Sequence, residues 1–559
     1  MESNQVTQHL SYEIRKLSNK QRLVLSSRPS LNSIRDGKLL FFDNTKLGFC
    51  HYRTIYTTLK YYLYQHSIVN LDYVRKSVRG TMTEQMRDLA RELSQKNYCG
   101  AILALADMGT SVMTTILAIE LEKLGVPSVL ISAPPGDKLA EHVAYYRAGN
   151  LCICHLDIFQ ASTDLQIKEQ TLAHAQYILE ALCSQPESLA KLATLSPQMD
   201  RDLLENASDS IQYTTLDELL DIYDEKSIGD GLPVVPPTPA RFEKMQEYCA
   251  ESLDSVIIPE AGPSGNNITI RDIILNSILA GCKPEYLPIV IQVFKAMTAP
   301  TFNFQQSITT SYNGGNLVLI SGPIAKELHI SSGQGCLGTG FRANATIGRA
   351  VNLTILNICR AYPGKADLGC LGSPAEFTYC FAESLENSLW PTLNEERYNA
   401  ETTTVYLMKA EPPTDVVDFL SQNSQSLLEV IISSATHLGR MNAYIPGRIL
   451  IVLTPDHAQM LKRDGWSKND LRHFLHNQIS NPRNTVAGKG LVPVRPEGFN
   501  DMENIPATRS PSDIDLVVAG GRGGHSAIIA SWGLYSDAVI SPLLLPNGIT
   551  AKSIHDFKC

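Results

Sequence analysis

The side chains of this 559-residue sequence best suited to moving protons or attacking a substrate lie in two short phrases, FTYCFAES and AGGRGGHS. The second follows the apolar run DIDLVV, so Arg522, His525 and Ser526 fall in a glycine-rich turn at the carboxyl end of a strand. Such a turn exposes backbone N–H groups, and a histidine within it exchanges protons near neutral pH. His525 is therefore the leading acid/base candidate, with a purely structural turn as the competing reading. In FTYCFAES, strand alternation puts Phe377, Tyr379 and Phe381 on one face and Thr378, Cys380 and Ala382 on the other, with Glu383 following. Cys380 and Glu383 are candidates for nucleophile and acid/base, against inert packing for the thiol.

A binding function points elsewhere, to SSGQGCLGTGFRANATIGRAVNLTILNIC. Gly333, Gly335, Gly338 and Gly340 let the backbone turn sharply and approach a ligand, and a helix is expected from near Asn344. Arg342, Asn344 and Thr346 would surround that helix N-terminus, with Arg349 about a turn further in. A guanidinium fork beside free N–H groups suits a carboxylate or phosphate; the alternative is a glycine-rich turn whose arginines pair internally. The segment lacks the Gly-Lys-Ser/Thr ending of a Walker loop and the GxGxxG spacing of a dinucleotide site. Two other places draw less chemistry. In DGLPVVPPT, Asp230 and the prolines fix a bend or wall a pocket. Cys152, Cys154 and His155 have metal-ligand residue types, but LCICHLDIF reads as a buried strand whose alternate side chains cannot clasp one ion.

Elements able to position these residues follow from the periodicity. From residue 37, short apolar runs (KLLFFD, CGAILALAD, VPSVLISAP, LCICHLDIF) alternate with segments of helical length. This predicts a doubly wound parallel sheet, Rossmann-like or flavodoxin-like, over residues 35–160, after an extension at 1–34. TEQMRDLARELSQKN places Met86, Leu89, Ala90 and Leu93 on one face, as a crossover helix needs. In such sheets ligands bind beyond the carboxyl ends of the strands, which singles out Asp107, Met108, Gly109, Thr110 and Ser111 after the run CGAILALA. Residues 161–213 read as a helical connecting segment. A larger mixed α/β or α+β domain is expected over 214–559, entered by a helix with Thr238 as N-cap and Pro239 at its first position. No internal repeat is evident.

Bulk properties narrow the class. A formal charge of -9 and the absence of a Lys/Arg-rich block argue against nucleic acid as a partner. No apolar run approaches the ~20 residues that cross a bilayer, and the N-terminal residues lack a signal pattern, so a cytoplasmic location without membrane contact is expected. Twelve scattered cysteines read as reduced thiols. No cofactor is identifiable, no metal is expected, and homo-oligomerisation is open.

The first unit resembles the UGSC family, named for a selenocysteine- or cysteine-Gly-Ser-Cys turn after the third strand. FFDNTK, with Asp43 and Asn44, and LEKLGVPSVLI carry the likeness, and His155 falls where that family tends to have a histidine. The named turn reads Met108-Gly109-Thr110-Ser111 here, so the resemblance implies a degenerate site without its redox pair. GDGLPVVPPT, AGCKPEYLPIV, GFRANATIGRA, FTYCFAE, DGWSK and AGGRGGHS resemble, in order, the larger domain that accompanies this module in bacterial relatives. The resulting expectation is a small-molecule enzyme using acid/base chemistry on an anionic organic substrate, of lyase, hydrolase or isomerase type. The alternatives are a thiol-linked oxidoreductase using Cys380 or Cys336, and a non-catalytic binding or scaffold protein.

Overall fold

The computed structural model describes residues 22–45, 51–184, 215–225, 227–492 and 502–559, with Leu189 and the backbone of 7–10 and 210–213. Most of the extension at 1–34, the second half of the expected connecting segment and Thr214 lie outside the described residues.

The chain is mixed α/β, with a parallel five-stranded sheet alternating with helices followed by mixed sheets. The first sheet comprises β1 (Leu39–Asp43), β2 (Leu71–Arg75), β3 (Gly100–Ala106), β4 (Ser128–Ser132) and β5 (Cys152–His155), in the order β2-β1-β3-β4-β5. All neighbours are parallel, and this is the flavodoxin-like order, with its switch point between β1 and β3. Helices cover both faces. On one side α1 (His51–Gln65) and α5 (Asp164–Cys183) bury Ile55, Leu59, Ile178 and Leu182 against the sheet. Helix α5, expected as a connector, is thus part of this unit, because its apolar residues close the second face of the sheet. On the other side lie α2 (Thr83–Ser94), α3 (Ser111–Lys123) and α4 (Gly136–Arg147). Met86, Leu89, Ala90 and Leu93 of α2 are buried together, as their spacing requires.

Four layers build the second unit. Helices α6 (Ile270–Ala280), α7 (Leu287–Met297) and α8 (Arg342–Cys359) pack on one face of a sheet of β6 (Gly315–Ser321), β7 (Cys380–Ala382), β8 (Thr404–Ala410) and β13 (Val539–Pro542). The opposite face, with Leu317, Leu319, Tyr406 and Met408, packs against Leu450, Val452, Val517 and Ile529 of a second sheet. That sheet contains β9 (Thr414–Val417), β10 (Ile449–Leu453), β11 (Ile514–Val518) and β12 (His525–Ala530). Its outer face is covered by α9 (Ser424–Ala435), α10 (Pro455–Arg463) and α11 (Lys468–Gln478). The sheets share one wiring: β6 and β7 are parallel with β8 antiparallel beside β6, and β10 and β11 are parallel with β12 antiparallel beside β10. In each half a proline opens the helix that leaves the first strand, Pro323 and Pro455. This duplication of topology leaves no sequence repeat because the helical crossovers differ in length and composition. Helix α8 begins at Arg342, and the helix Pro239–Gln246 starts after Thr238, although the Thr238 side chain makes no cap hydrogen bond.

The two units are joined by directed contacts. The Arg147 guanidinium donates to the carbonyls of Glu260 (2.8 Å) and Gly262 (2.6 Å), and Arg79 donates to the Leu534 carbonyl at 2.6 Å. Ala366 and Leu368, from the loop after α8, are buried in the core of the first unit. That loop therefore takes its position from both units.

Candidate functional site

A cleft of about 740 Å³ opens where β6 begins and β8 ends. Its floor is a cross-strand pair: Asn316 lies directly opposite Lys409 in antiparallel register, so the two side chains share a face. Both sit on the helix-packed face of the sheet, one step beyond the apolar pair Val318 and Leu407. Asn352, from the C-terminal half of α8, accepts a hydrogen bond from the Asn316 amide at 3.0 Å. The other walls include Asp224, Ser227, Gly229, Asp230 and Gly231, and residues of the loop 361–377. Asp230 is held by Arg349 in a bidentate pair at 2.7 and 2.8 Å, which neutralises its charge.

Two glycines shape this end of the molecule. A Cβ on Gly315 would lie 2.3 Å from the Ala375 carbonyl oxygen, so only glycine lets the turn Pro374–Glu376 close against the strand. At Gly372, with φ +64°, a Cβ would lie 2.9 Å from the Glu376 carboxylate, which uses the space. Asp367 is held from behind, its carboxylate accepting from the Gly369 N–H at 3.0 Å.

Lys409 is only 7% exposed, yet among the described residues no hydrogen bond or ion pair engages its ammonium. Burial lowers its proton affinity, and Asp367 and Glu376 oppose that only in part, through space. Those carboxyls move the other way: burial raises both, with the Lys409 charge as the chief opposing influence. An amine and two carboxyl groups are thus drawn from opposite sides toward neutral pH, as acid/base chemistry requires. Three buried polar atoms of cleft residues have no hydrogen-bond partner among the described residues: Asn316 Oδ1, Asn352 Nδ2 and Ser373 Oγ. An unpaired buried polar atom costs roughly 1–3 kcal/mol, so three in one place concentrate unmet hydrogen-bonding capacity at the cleft. Among the described residues no group of three or more His, Cys, Asp and Glu is placed to hold a metal ion.

Apart from Asp230, which walls the cleft, the residues singled out by sequence lie elsewhere. The two glycine-rich segments do meet: Gly520 N–H donates to the Ser332 carbonyl at 2.8 Å, and Gly521 packs on Gln334. Gly338 and Gly340 form an exposed loop beside them. Their chosen side chains, however, each bond within the protein, Arg342 and Arg522 through Nε alone. Asn344 is buried and clamps the loop, accepting from Ser331 N–H (2.8 Å) and donating to the carbonyls of Ser331 and Cys336 (both 3.0 Å). Arg342 donates to the Gly281 carbonyl at 3.0 Å, Thr346 back-bonds to Arg342 at 2.8 Å, and Arg349 serves Asp230. Arg522 forms an exposed pair with Asp456 at 2.8 Å. Ser526 is buried and bonds the His457 ring at 2.7 Å.

His525 opens β12 as an exposed residue paired with Asp415 at 2.8 Å, edge-on to Phe419. No hydrogen bond or ion pair among the described residues joins it to Arg342 or Glu383. Cys380 is buried in the helix-facing core, where desolvation pushes its thiol far up, so it packs rather than attacks. Glu383 is buried beneath the Ser321 hydroxyl (2.6 Å) and Leu393 N–H (2.8 Å), remote from the lining of the cleft. Its proton affinity is raised by burial, opposed chiefly by Lys468.

In the first unit, the turn Met108-Gly109-Thr110-Ser111 lies against the second unit. A Cβ on Gly109 would lie 3.1 Å from the Gln306 carbonyl oxygen, and the Met108 sulfur is 3.9 Å from the Ser311 hydroxyl. Ser111 is buried, and its hydroxyl and that of Thr110 have no partner among the described residues. Asp43 accepts from Tyr73 and from Thr45 N–H, while Asn44 is held by Tyr52 and Thr114. His155 bridges Ser132 (2.7 Å) and Glu141 (3.1 Å) at the end of β5, on the opposite side of the strand from the buried Cys154.

Sequence reasoning passed over Lys409, Asn316, Asn352, Asp367 and Glu376. One signal was available: TTVYLMKA and GNLVLIS each set a polar residue into an otherwise apolar central strand. None of the described helices is long and apolar enough to cross a membrane. Compared with protein-family models, curated proteins and solved structures, the chain matches none of them.

Proposed function

We propose that this protein is an enzyme that binds a small organic acid in the Lys409 cleft and moves protons on it. The observation that carries the reading is the lysine amine, buried at the cleft floor without an ion pair and flanked by two carboxyl groups of raised proton affinity. Perturbed groups converging in one cleft mark sites of chemistry more often than of packing. In the proposed arrangement Lys409 supplies base or positive charge, Asp367 and Glu376 supply acid, and Asn352 and Ser373 donate to the substrate's carboxylate. Ile308, Ile355 and Phe377 give the substrate an apolar wall. Lyase and isomerase chemistry fits this equipment. The first unit, whose UGSC-like turn contacts the second unit, then acts as a buttress for the loop that carries Asp367.

The test is a thermal-shift screen of small mono- and dicarboxylic acids on the wild-type protein and on Lys409→Met, since a ligand of the native state raises its melting temperature. Lys409→Met is expected to melt higher than wild type, because a buried charge that is only partly compensated is removed, and to lose the ligand response. A variant that melts lower and still responds would count against the reading.

One observation favours a second, thiol-based reading. Cys370 is exposed on the cleft lining, and its N–H reaches the carbonyl of Ser311, the residue that touches Met108. Loss of turnover in Cys370→Ser with binding intact would favour it.

A further inference from the structure

We infer that Lys409 is an imine-forming nucleophile, and that the substrates of the cleft are oxo acids, compounds with a reactive carbonyl near a carboxylate. This rests on the reading of the cleft above and names its substrate class. The ground is geometric. Lys409 stands opposite Asn316 and lines the cleft with no anion bound to its amine among the described residues, whereas a buried lysine is normally paired. At pH 7 an ordinary lysine is free base in roughly one molecule in 10³, and only the free base attacks a carbonyl. Desolvation at the cleft floor enlarges that fraction.

The unpaired atoms match the functional groups of an oxo acid. Asn352 Nδ2 and Ser373 Oγ are unused donors for a carboxylate, and Asn316 Oδ1, on the residue opposite Lys409 in register, is an unused acceptor for the hydroxyl formed at the attacked carbon. The step balances without a redox partner. The amine lone pair forms a C–N bond as the carbonyl π bond opens, and the oxygen takes a proton from Asp367 or Glu376. The resulting carbinolamine loses its N–H proton to the carboxylate so generated. Its hydroxyl leaves as water with the proton that this carboxyl has just taken, giving a protonated C=N that returns its N–H proton to the carboxylate. Overall, amine plus carbonyl yields imine plus water.

The experiment incubates the full-length protein with pyruvate, 2-oxobutyrate or 2-oxoglutarate and sodium cyanoborohydride, then maps reduced adducts by peptide mass spectrometry. Thermal shifts with the same acids, and with lactate as a carbonyl-free control, run in parallel. The expected result is one adduct, on Lys409, suppressed by lactate and lost in Lys409→Arg. Thermal shifts without an adduct would overturn the imine and leave the cleft reading standing. Labelling of other lysines only would do the same. Neither shift nor adduct with any of the three acids would overturn both.

Discussion

His142 couples the integrity of the seam to pH. It lies on α4, edge-on to Tyr146 with ring centroids 4.6 Å apart, and faces the Arg360 backbone across the junction of the two units. The ring is 4% exposed, and its Nε2 has no hydrogen-bond partner among the described residues. Burial, helped by the charges of Lys365 and Arg360, holds its pKa at about 4. In the unfolded chain the same ring titrates near 6.5. Between those values the unfolded chain binds a proton that the native ring refuses, so native stability is full above pH ~6.5 and falls as pH drops toward 4. Linkage converts that difference into about 3 kcal/mol, of which roughly 2–3 kcal/mol is realised by pH 4.5.

Because carboxylates titrate in the same range, the quantity to read is the difference between wild type and His142→Phe. Urea-unfolding free energies at pH 7.5 and pH 4.5 should diverge, the variant losing roughly 2–3 kcal/mol less than wild type on acidification. The same slope in both proteins would refute the argument. The effect bears on function because Arg360 begins the loop that places Asp367 in the cleft.

Further outcomes follow from particular contacts. Gly315→Ala should destabilise by about 1–3 kcal/mol in urea unfolding and blunt the thermal response to carboxylic acids, since its Cβ drives the Glu376 turn off the strand. Arg349→Met should cost about 3 kcal/mol, because it strands the Asp230 carboxylate, whose side chain is 8% exposed. His525→Ala should leave turnover intact and change stability by less than about 1 kcal/mol, as an exposed ion pair allows; a loss of activity would restore His525 as acid/base. Iodoacetamide on the native protein should label Cys370 and Cys559 ahead of the buried Cys336 and Cys380, read by peptide mass spectrometry.

The fold was more legible than the site. Apolar runs such as CGAILALAD and the face of Met86, Leu89, Ala90 and Leu93 report local periods, and local periods suffice to write a parallel sheet with crossover helices. The glycine-rich phrases were legible as turns, and Gly520 and Ser332 do meet. Their side chains were harder to assign, for one physical reason. A residue type announces what it can bond but not whether the fold has already supplied the partner: Arg349 has Asp230, Ser526 has His457, and Asn344 has the Ser331 backbone. The cleft was hidden for the converse reason. Asn316 and Lys409 are 93 positions apart and become neighbours only through strand register, and Asp367 arrives on a loop anchored in the other unit. Polar residues within TTVYLMKA and GNLVLIS were the visible trace, because burying them in central strands demands a reason.

The most direct test of proton transfer at Lys409 is solvent exchange. Small organic acids, oxo acids among them, would be incubated with the protein in D₂O and their carbon-bound protons followed by NMR, for wild type and for Lys409→Met. The account requires that wild type exchange the proton next to the carbonyl or carboxylate of at least one acid, and that Lys409→Met slow it by ~10²–10⁴-fold while remaining folded. Equal exchange by the folded variant, on the acid that wild type accepts, would contradict the placement of the chemistry at Lys409.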